Sequence, residues 1–355
     1  MNVSGHDYGQ FIRGNRTSST MKTVVVTGAS AGLGRAIARE FARNGSNVGL
    51  IARGMEGLQA TRREIERMGV RAYVWQADVA DAGAIEAGAS EIEAALGPID
   101  VWVNNAMLSV FSPVKDMTSE DYRRVTEVTY LGVVHGTLAA LRRMLPRNEG
   151  AIIQVGSALA YRGIPLQSAY CAAKHAIQGF CDSLRSELLH DRSRVRLTMV
   201  QMPALNTPQF GWVKSRLKHK AQPVPPIYDP EVGAKAVVYA ARHNRREILV
   251  GGPTIEAVLG NKFVPGLLDR YLADHGFQSQ QTPQDEPSDR PDNLYAPLDQ
   301  EVDYGANGAF THRARKWSPA LWLDMHRPWA VAAGAAAILL GGILSTACCL
   351  PRRRS

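Results

Sequence analysis

The segment SAYCAAKHA, residues 168–176, places Tyr170 and Lys174 four positions apart, and Ser157 stands thirteen residues before the tyrosine. Four residues make about one helical turn, so the phenol and the ammonium share one helix face. A free phenol has a pKa of about 10, too high for proton exchange at neutral pH. An ammonium beside it favours the phenolate and brings that pKa toward working range. Tyrosine and lysine also meet by chance on solvated helix faces, so the pair needs support from the elements around it.

Those elements alternate. Seven apolar runs (22–28, 47–53, 71–79, 100–106, 150–157, 194–202 and 247–252) are β-branched and bounded by Gly, Pro, Asn or Asp. They read as buried strands. Between them lie helix-like stretches such as RAIAREFARN, SEDYRRVTEVTYLGVVHGTLAALRRML and SAYCAAKHAIQGFCDSLRSELLH. Strict β–α alternation predicts an α/β fold, a doubly wound parallel sheet of seven strands with helices on both faces. Ser157 then falls at a strand end, with Tyr170 and Lys174 on the next helix.

The first strand runs directly into TGASAGLGRAIA, where Gly28, Gly32 and Gly34 are spaced G-x-x-x-G-x-G ahead of a helix. Bare glycines let the backbone approach a pyrophosphate, whose charge a helix N-terminus favours. No GK[ST] follows, which disfavours a nucleotide triphosphatase loop. A carboxylate about twenty residues beyond the glycines would bind the ribose 2′-hydroxyl of NAD. The sequence instead reads Ile51-Ala52-Arg53, and Arg35 directly follows the last loop glycine. Two guanidiniums suit a 2′-phosphate, so NADP(H) is the expected cofactor.

With the loop TGASAGLG, VNNA at 103–106 and YCAAK at 170–174, the chain resembles the short-chain dehydrogenase/reductase family over roughly residues 21–255. The resemblance implies a Rossmann-type sheet of strand order 3-2-1-4-5-6-7 and a dimer or tetramer packed through long helices. By position, it implies Tyr170 as general acid/base, Lys174 as its electrostatic partner and ribose ligand, and Ser157 as donor to the substrate oxygen. The implied cofactor contacts are Gly28, Ser30, Gly32, Leu33, Gly34, Arg35, Arg53, Asp78, Val79, Asn104, Ala106 and Thr207, with Tyr170 and Lys174. Among these, Asp78 would meet the adenine and Asn104 would support the nicotinamide side.

Three positions depart from the family pattern. Met107 stands where NNAG ends in glycine, and puts a bulkier side chain near the cofactor wall. Thr129 replaces the asparagine that supports a water relay to the lysine, so either its hydroxyl holds the water differently or the relay is weaker. MPALNT, residues 202–207, replaces PGxVxT but keeps Thr207 for the carboxamide.

The 355 residues are 45% hydrophobic and 21% charged, with a net charge of +8. That length accommodates one large catalytic domain, expected over 21–273. The moderate basic excess suits anionic ligands or a membrane surface, and no nucleic-acid partner is expected. Cys171, Cys181, Cys348 and Cys349 form no CxxC pair, and His135 and His175 lack a second ligand at metal spacing. A reducing compartment and no metal follow. Residues 1–20 lack an apolar signal core and read as a disordered arm.

Residues 208–230 are Pro-rich and basic, and read as a solvated substrate lid. Residues 274–316 are polar and acidic, with eight acids and one arginine in 274–303, and read as a flexible linker. Then WAVAAGAAAILLGGILSTACCL, residues 329–350, runs without a charge between Pro328 and Pro351, ahead of a basic tail over 351–355. As a helix it spans roughly 33 Å, enough for a hydrocarbon core of about 30 Å, so a membrane anchor is expected.

The expectation is an NADP(H)-dependent oxidoreductase that interconverts a carbonyl and an alcohol. Its catalytic domain would be tethered on the cytoplasmic side, where NADPH is at hand, and membrane proximity favours a lipophilic small-molecule substrate. The rival is a catalytically weak NADP(H)-binding membrane scaffold, favoured by Met107 and Thr129 and opposed by the intact Ser157, Tyr170 and Lys174. An extended nucleotide-sugar epimerase is disfavoured by the spacing of TGASAGLG.

Overall fold

The computed structural model describes residues 23–327 except residue 288, so the arm 1–20, the apolar segment 329–350 and the tail 351–355 lie outside the described residues. Among the described residues, no helix is long and apolar enough to cross a membrane.

Seven strands form the main sheet: β1 (Thr23–Thr27), β2 (Asn47–Ala52), β3 (Ala72–Gln76), β4 (Val101–Asn104), β5 (Ala151–Ser157), β6 (Arg196–Met202) and β7 (Glu247–Leu249). They run parallel in the order β3-β2-β1-β4-β5-β6-β7, as the family resemblance implies. The order reverses between β1 and β4, and that switch opens a crevice at the carboxyl ends of the strands.

Seven helices alternate with the strands: α1 (Gly32–Arg43), α2 (Met55–Glu66), α3 (Ala82–Leu96), α4 (Ser119–Thr126), α5 (Gly132–Arg147), α6 (Ser168–His190) and α7 (Pro230–Arg242). Period-two alternation sends Val24 and Val26 to one face of the sheet and Val25 to the other. The first face packs on Ile37 and Phe41 of α1, Leu58 of α2 and Val237 of α7. The second packs on Ile92 of α3, Met144 of α5 and Ile177 of α6. Burying each such large side chain stabilises the fold by roughly 1.5–3 kcal/mol.

The helix expected over 119–145 is interrupted. Thr118 and Asp121 form a capping box that starts α4, but Glu127–Leu131 widens into a π-helical turn before α5. That turn carries Thr129 onto the backbone of Leu108, whose N–H it accepts at 2.9 Å and whose carbonyl it reaches at 3.0 Å. Sequence periodicity carries no mark of one extra residue in a turn.

The stretch 208–230, expected as a solvated lid, lines the cavity through Phe210 and Val224 but is tied to the domain rather than free in solvent. Lys214–Ser215 pairs in parallel with Val110–Phe111, and His219–Ala221 pairs antiparallel with Gln281–Asp285. Asp121, only 1% exposed, accepts from Lys214 Nζ at 3.0 Å and Arg216 Nη2 at 2.5 Å, so two of the stretch's cations are spent holding it down.

The expected linker over 274–316 is also corrected, because it packs. Leu294 and Ala306 are buried in the two cores, and Arg290 donates to the carbonyl of Val213 at 2.6 Å. Residues 293–305 form a strap across the end of β2 and the starts of α1 and α2. Gly305 accepts from Gly32 N–H at 3.0 Å, and Gln300 accepts from Glu56 N–H at 3.2 Å. The chain continues through α8 (Gly252–Phe263) and α9 (Pro265–His275), and after the strap through α10 (Pro319–Met325), whose Leu321 joins the first core.

Candidate active site

The glycine loop is held by short bonds from β1 to the end of β4. Thr27 Oγ1 accepts from the N–H groups of Asn105 and Ala106 at 3.0 and 3.1 Å, and Asn105 Nδ2 donates to the Thr27 carbonyl at 2.9 Å. Gly28 has a φ of +67°, and a Cβ there would come within 2.9 Å of Ala106 Cα. A Cβ on Gly34 would come within 2.0 Å of the Gly28 carbonyl oxygen. Only glycine permits this approach of loop, helix and strand.

No acceptor among the described residues meets the N–H groups of Leu33 and Gly34, and the first turn of α1 holds no acid. Both residues line a cavity of about 390 Å³ at the carboxyl ends of the strands. Unmet donors at a helix N-terminus favour an anion, so the cradle fits a dinucleotide's pyrophosphate.

Ser157 ends β5, while Tyr170 and Lys174 sit one turn apart on α6, and all three line the same cavity. Ser157 Oγ accepts from Leu159 N–H at 3.1 Å, which leaves its own proton to donate. Lys174 is 2% exposed, donates to the Val155 carbonyl at 2.7 Å, and holds its Nζ 5.5 Å from the centre of the Tyr170 ring. Burial lowers the Lys174 pKa to about 8. Burial pushes the Tyr170 phenol above its usual range, and the Ser157 hydroxyl draws it back only in part. The expected lowering of the phenol pKa by the ammonium does not figure among the causes of this shift, which desolvation dominates. At neutral pH the phenol is a proton donor beside an ammonium.

All the expected site residues line the cavity except Arg35, Asn104 and Thr129. Arg35 is 3% exposed and turned onto Glu64, at 2.8 Å, and Asp303. Asn104 lies within the fold in a closed network. Its Oδ1 accepts from Trp102 Nε1 at 2.8 Å, and its Nδ2 donates to Thr137 Oγ1 at 3.1 Å and Gln154 Oε1 at 2.9 Å. Thr129 spends its hydroxyl on Leu108, as above. Spacing along the chain placed these three near the site but did not show which face each would occupy.

Arg53 lines the cavity, yet its guanidinium donates to carbonyls of the strap: Asn293 at 2.6 Å and Tyr295 at 3.0 Å. Asp78 accepts from Arg124 and, at 3.0 Å, from the N–H of Ala80. The strap adds Pro297, Leu298 and Asp299 to the lining, which sequence reasoning missed. The only cue was the apolar cluster NLYAPL, 293–298, inside an otherwise polar stretch. Toward the substrate side, the wall is apolar, with Met107, Leu159, Ile164, Phe210 and Val224.

The chain is similar to known proteins. The family model described as short chain dehydrogenase matches residues 22–217. An uncharacterized oxidoreductase of Bacillus subtilis, YxnA, is 34% identical over 261 residues, 73% of each chain. A fatty acyl-CoA reductase of Acinetobacter baylyi is 31% identical over 221 residues, 62% of this chain and 72% of its own. Among solved structures, an alcohol dehydrogenase from Thermococcus sibiricus, complexed with 5-hydroxy-NADP, superposes with a TM-score of 0.56 at 27% identity, covering 64% of this chain and 95% of its own.

Proposed function

The chain belongs to the short chain dehydrogenase family, and from that premise we propose that it interconverts a carbonyl and an alcohol with a nicotinamide dinucleotide, NADP(H) for preference. The observation that carries this reading is the convergence of Ser157, Tyr170 and Lys174 on one cavity with the glycine cradle. When bound, the cofactor supplies or accepts the hydride. The chain's own residues handle the proton. Tyr170 Oη donates it to the carbonyl oxygen, Ser157 Oγ–H hydrogen-bonds the same oxygen as negative charge grows, and the Lys174 ammonium favours the phenolate left behind.

NADP(H) is supported by Arg53 at the cavity wall, by the lack of an acid at the end of β2, and by the NADP-type ligand of the Thermococcus structure. A lipophilic substrate is supported by the apolar wall and by the acyl-CoA reductase among the relatives. Tethering of this domain to a membrane through 329–350, with the catalytic face in the cytoplasm, belongs to the same reading. Assembly through long helices does too, since Leu131, Leu138 and Leu145, seven residues apart, stay 36–43% exposed.

A panel of aliphatic and aromatic carbonyls with NADPH tests the chemistry. Tyr170→Phe is expected to bind cofactor while turning over roughly 10²–10⁴-fold more slowly. Cofactor binding by the wild type without turnover of any carbonyl would leave the scaffold reading instead.

A further inference from the structure

The ribose end of a dinucleotide groove lies at the end of β2, where a cofactor's 2′-hydroxyl or 2′-phosphate is read. Here that place is filled by the chain itself. The first three N–H groups of α2 point out of the helix unpaired by geometry, and the N-cap residue Gly54 has no side chain to meet them. The strap meets all three. Met55 N–H donates to Gln300 Oε1 at 3.4 Å, Glu56 N–H to the Gln300 carbonyl at 3.2 Å, and Gly57 N–H to the Asp299 carbonyl at 3.3 Å.

Asp299 goes further. It is 6% exposed, lines the cavity, and presses its carboxylate on bare backbone, where a Cβ on Gly54 would fall 1.9 Å from its Oδ1. No hydrogen-bond donor among the described residues meets that carboxylate. The Arg53 guanidinium interacts with it electrostatically, and the N-terminus of α2 favours its negative charge. Of the neighbouring cations, Arg53 is taken by the strap carbonyls of Asn293 and Tyr295, and Arg35 by Asp303 together with Glu64 of α2. The cavity nevertheless continues beneath the strap to Asp78 and Val79.

We propose that Asp299 discriminates between the two nicotinamide dinucleotides. Its carboxylate stands where a 2′-phosphate would, so NADP(H) binds by displacing the strap and NAD(H) binds beneath it. The inference rests on the cavity being a dinucleotide site. It makes the preference for NADP(H) conditional on release of the strap, which also frees Arg53 from the strap carbonyls for the incoming phosphate. Like charges at such a separation repel strongly in a partly desolvated site, so the phosphate and the carboxylate exclude one another.

Fluorescence titration of the full chain with NADPH and with NADH, wild type against Asp299→Ala, tests this. The variant is expected to bind NADPH roughly tenfold more tightly and NADH within about twofold of wild type. A ratio of the two affinities that stays unchanged, or moves toward NADH, overturns the proposal. Amide hydrogen exchange over 293–305 needs no variant. NADPH is expected to speed exchange there and NADH is not, whereas slowed or unaltered exchange under NADPH overturns the proposal. Failure of both cofactors to bind overturns the dinucleotide reading and this inference together.

Discussion

At the residue scale, the chemistry rests on Lys174 carrying a charge inside the fold. Its pKa falls from 10.5 to about 8 on burial, so between those values the unfolded chain binds a proton that the folded chain has released. Stability then rises with pH across that window, and below it the full cost of the buried ammonium is present. The stability of wild type relative to Lys174→Met, read by urea denaturation, is expected to increase by roughly 2–3 kcal/mol from pH 8 to pH 10.5. The comparison cancels Tyr170, Cys171 and Cys181, whose raised values act in the opposite direction at high pH. A pH-independent difference would mean that Lys174 titrates normally. Ser157, Tyr170 and Lys174 were legible because their spacing fits a strand end and one helix turn. Asn104 and Thr129 were not, because a strand residue's face and a hydroxyl's partner depend on contacts that spacing does not encode. Arg35 follows the glycine loop as expected, but two carboxylates, one of them 268 residues away, decide where its guanidinium lies.

At the element scale, the strands were legible from β-branched runs, since both faces of a parallel sheet are covered and exclude polar residues. The segment 208–230 was misread because four cations in ten residues look solvated until their partner is known. That partner, Asp121, also supplies half of the capping box of α4. One carboxylate therefore joins a helix start to the segment 208–230. Asp121→Ala is expected to cost roughly 2 kcal/mol in urea denaturation, allowing for cations about a quarter exposed, and to speed amide exchange over 208–222. Unaltered exchange over 208–222 would mean that its two short strands hold it without the ion pairs.

At the scale of the whole molecule, composition misassigned 274–316. Low hydrophobicity usually leaves a segment free, yet here each polar stretch finds a partner on the domain: Gln281–Asp285 on His219–Ala221, the strap on α2, Asp303 on Arg35. Two truncations separate this packed segment from the tail. A chain ending at residue 280 loses the buried Leu294 and Leu321 and the strap's caps, and its Tm is expected to fall by roughly 10 °C. A chain ending at residue 328 is expected to keep its Tm and lose membrane association. An unaltered Tm in the shorter chain would restore the free-linker reading, and membrane association without 329–355 would remove the tether. The most direct measurement follows the hydride itself, using NADPH deuterated at the transferring position and mass spectrometry of the product alcohol. One deuterium on the carbinol carbon per cofactor consumed by the wild type, with labelled alcohol formed roughly 10²–10⁴-fold more slowly by Tyr170→Phe although it binds the cofactor, is the expected result. Cofactor consumed without deuterium in the alcohol, or label transfer undiminished in Tyr170→Phe, would contradict a carbonyl-reducing site built on Ser157, Tyr170 and Lys174.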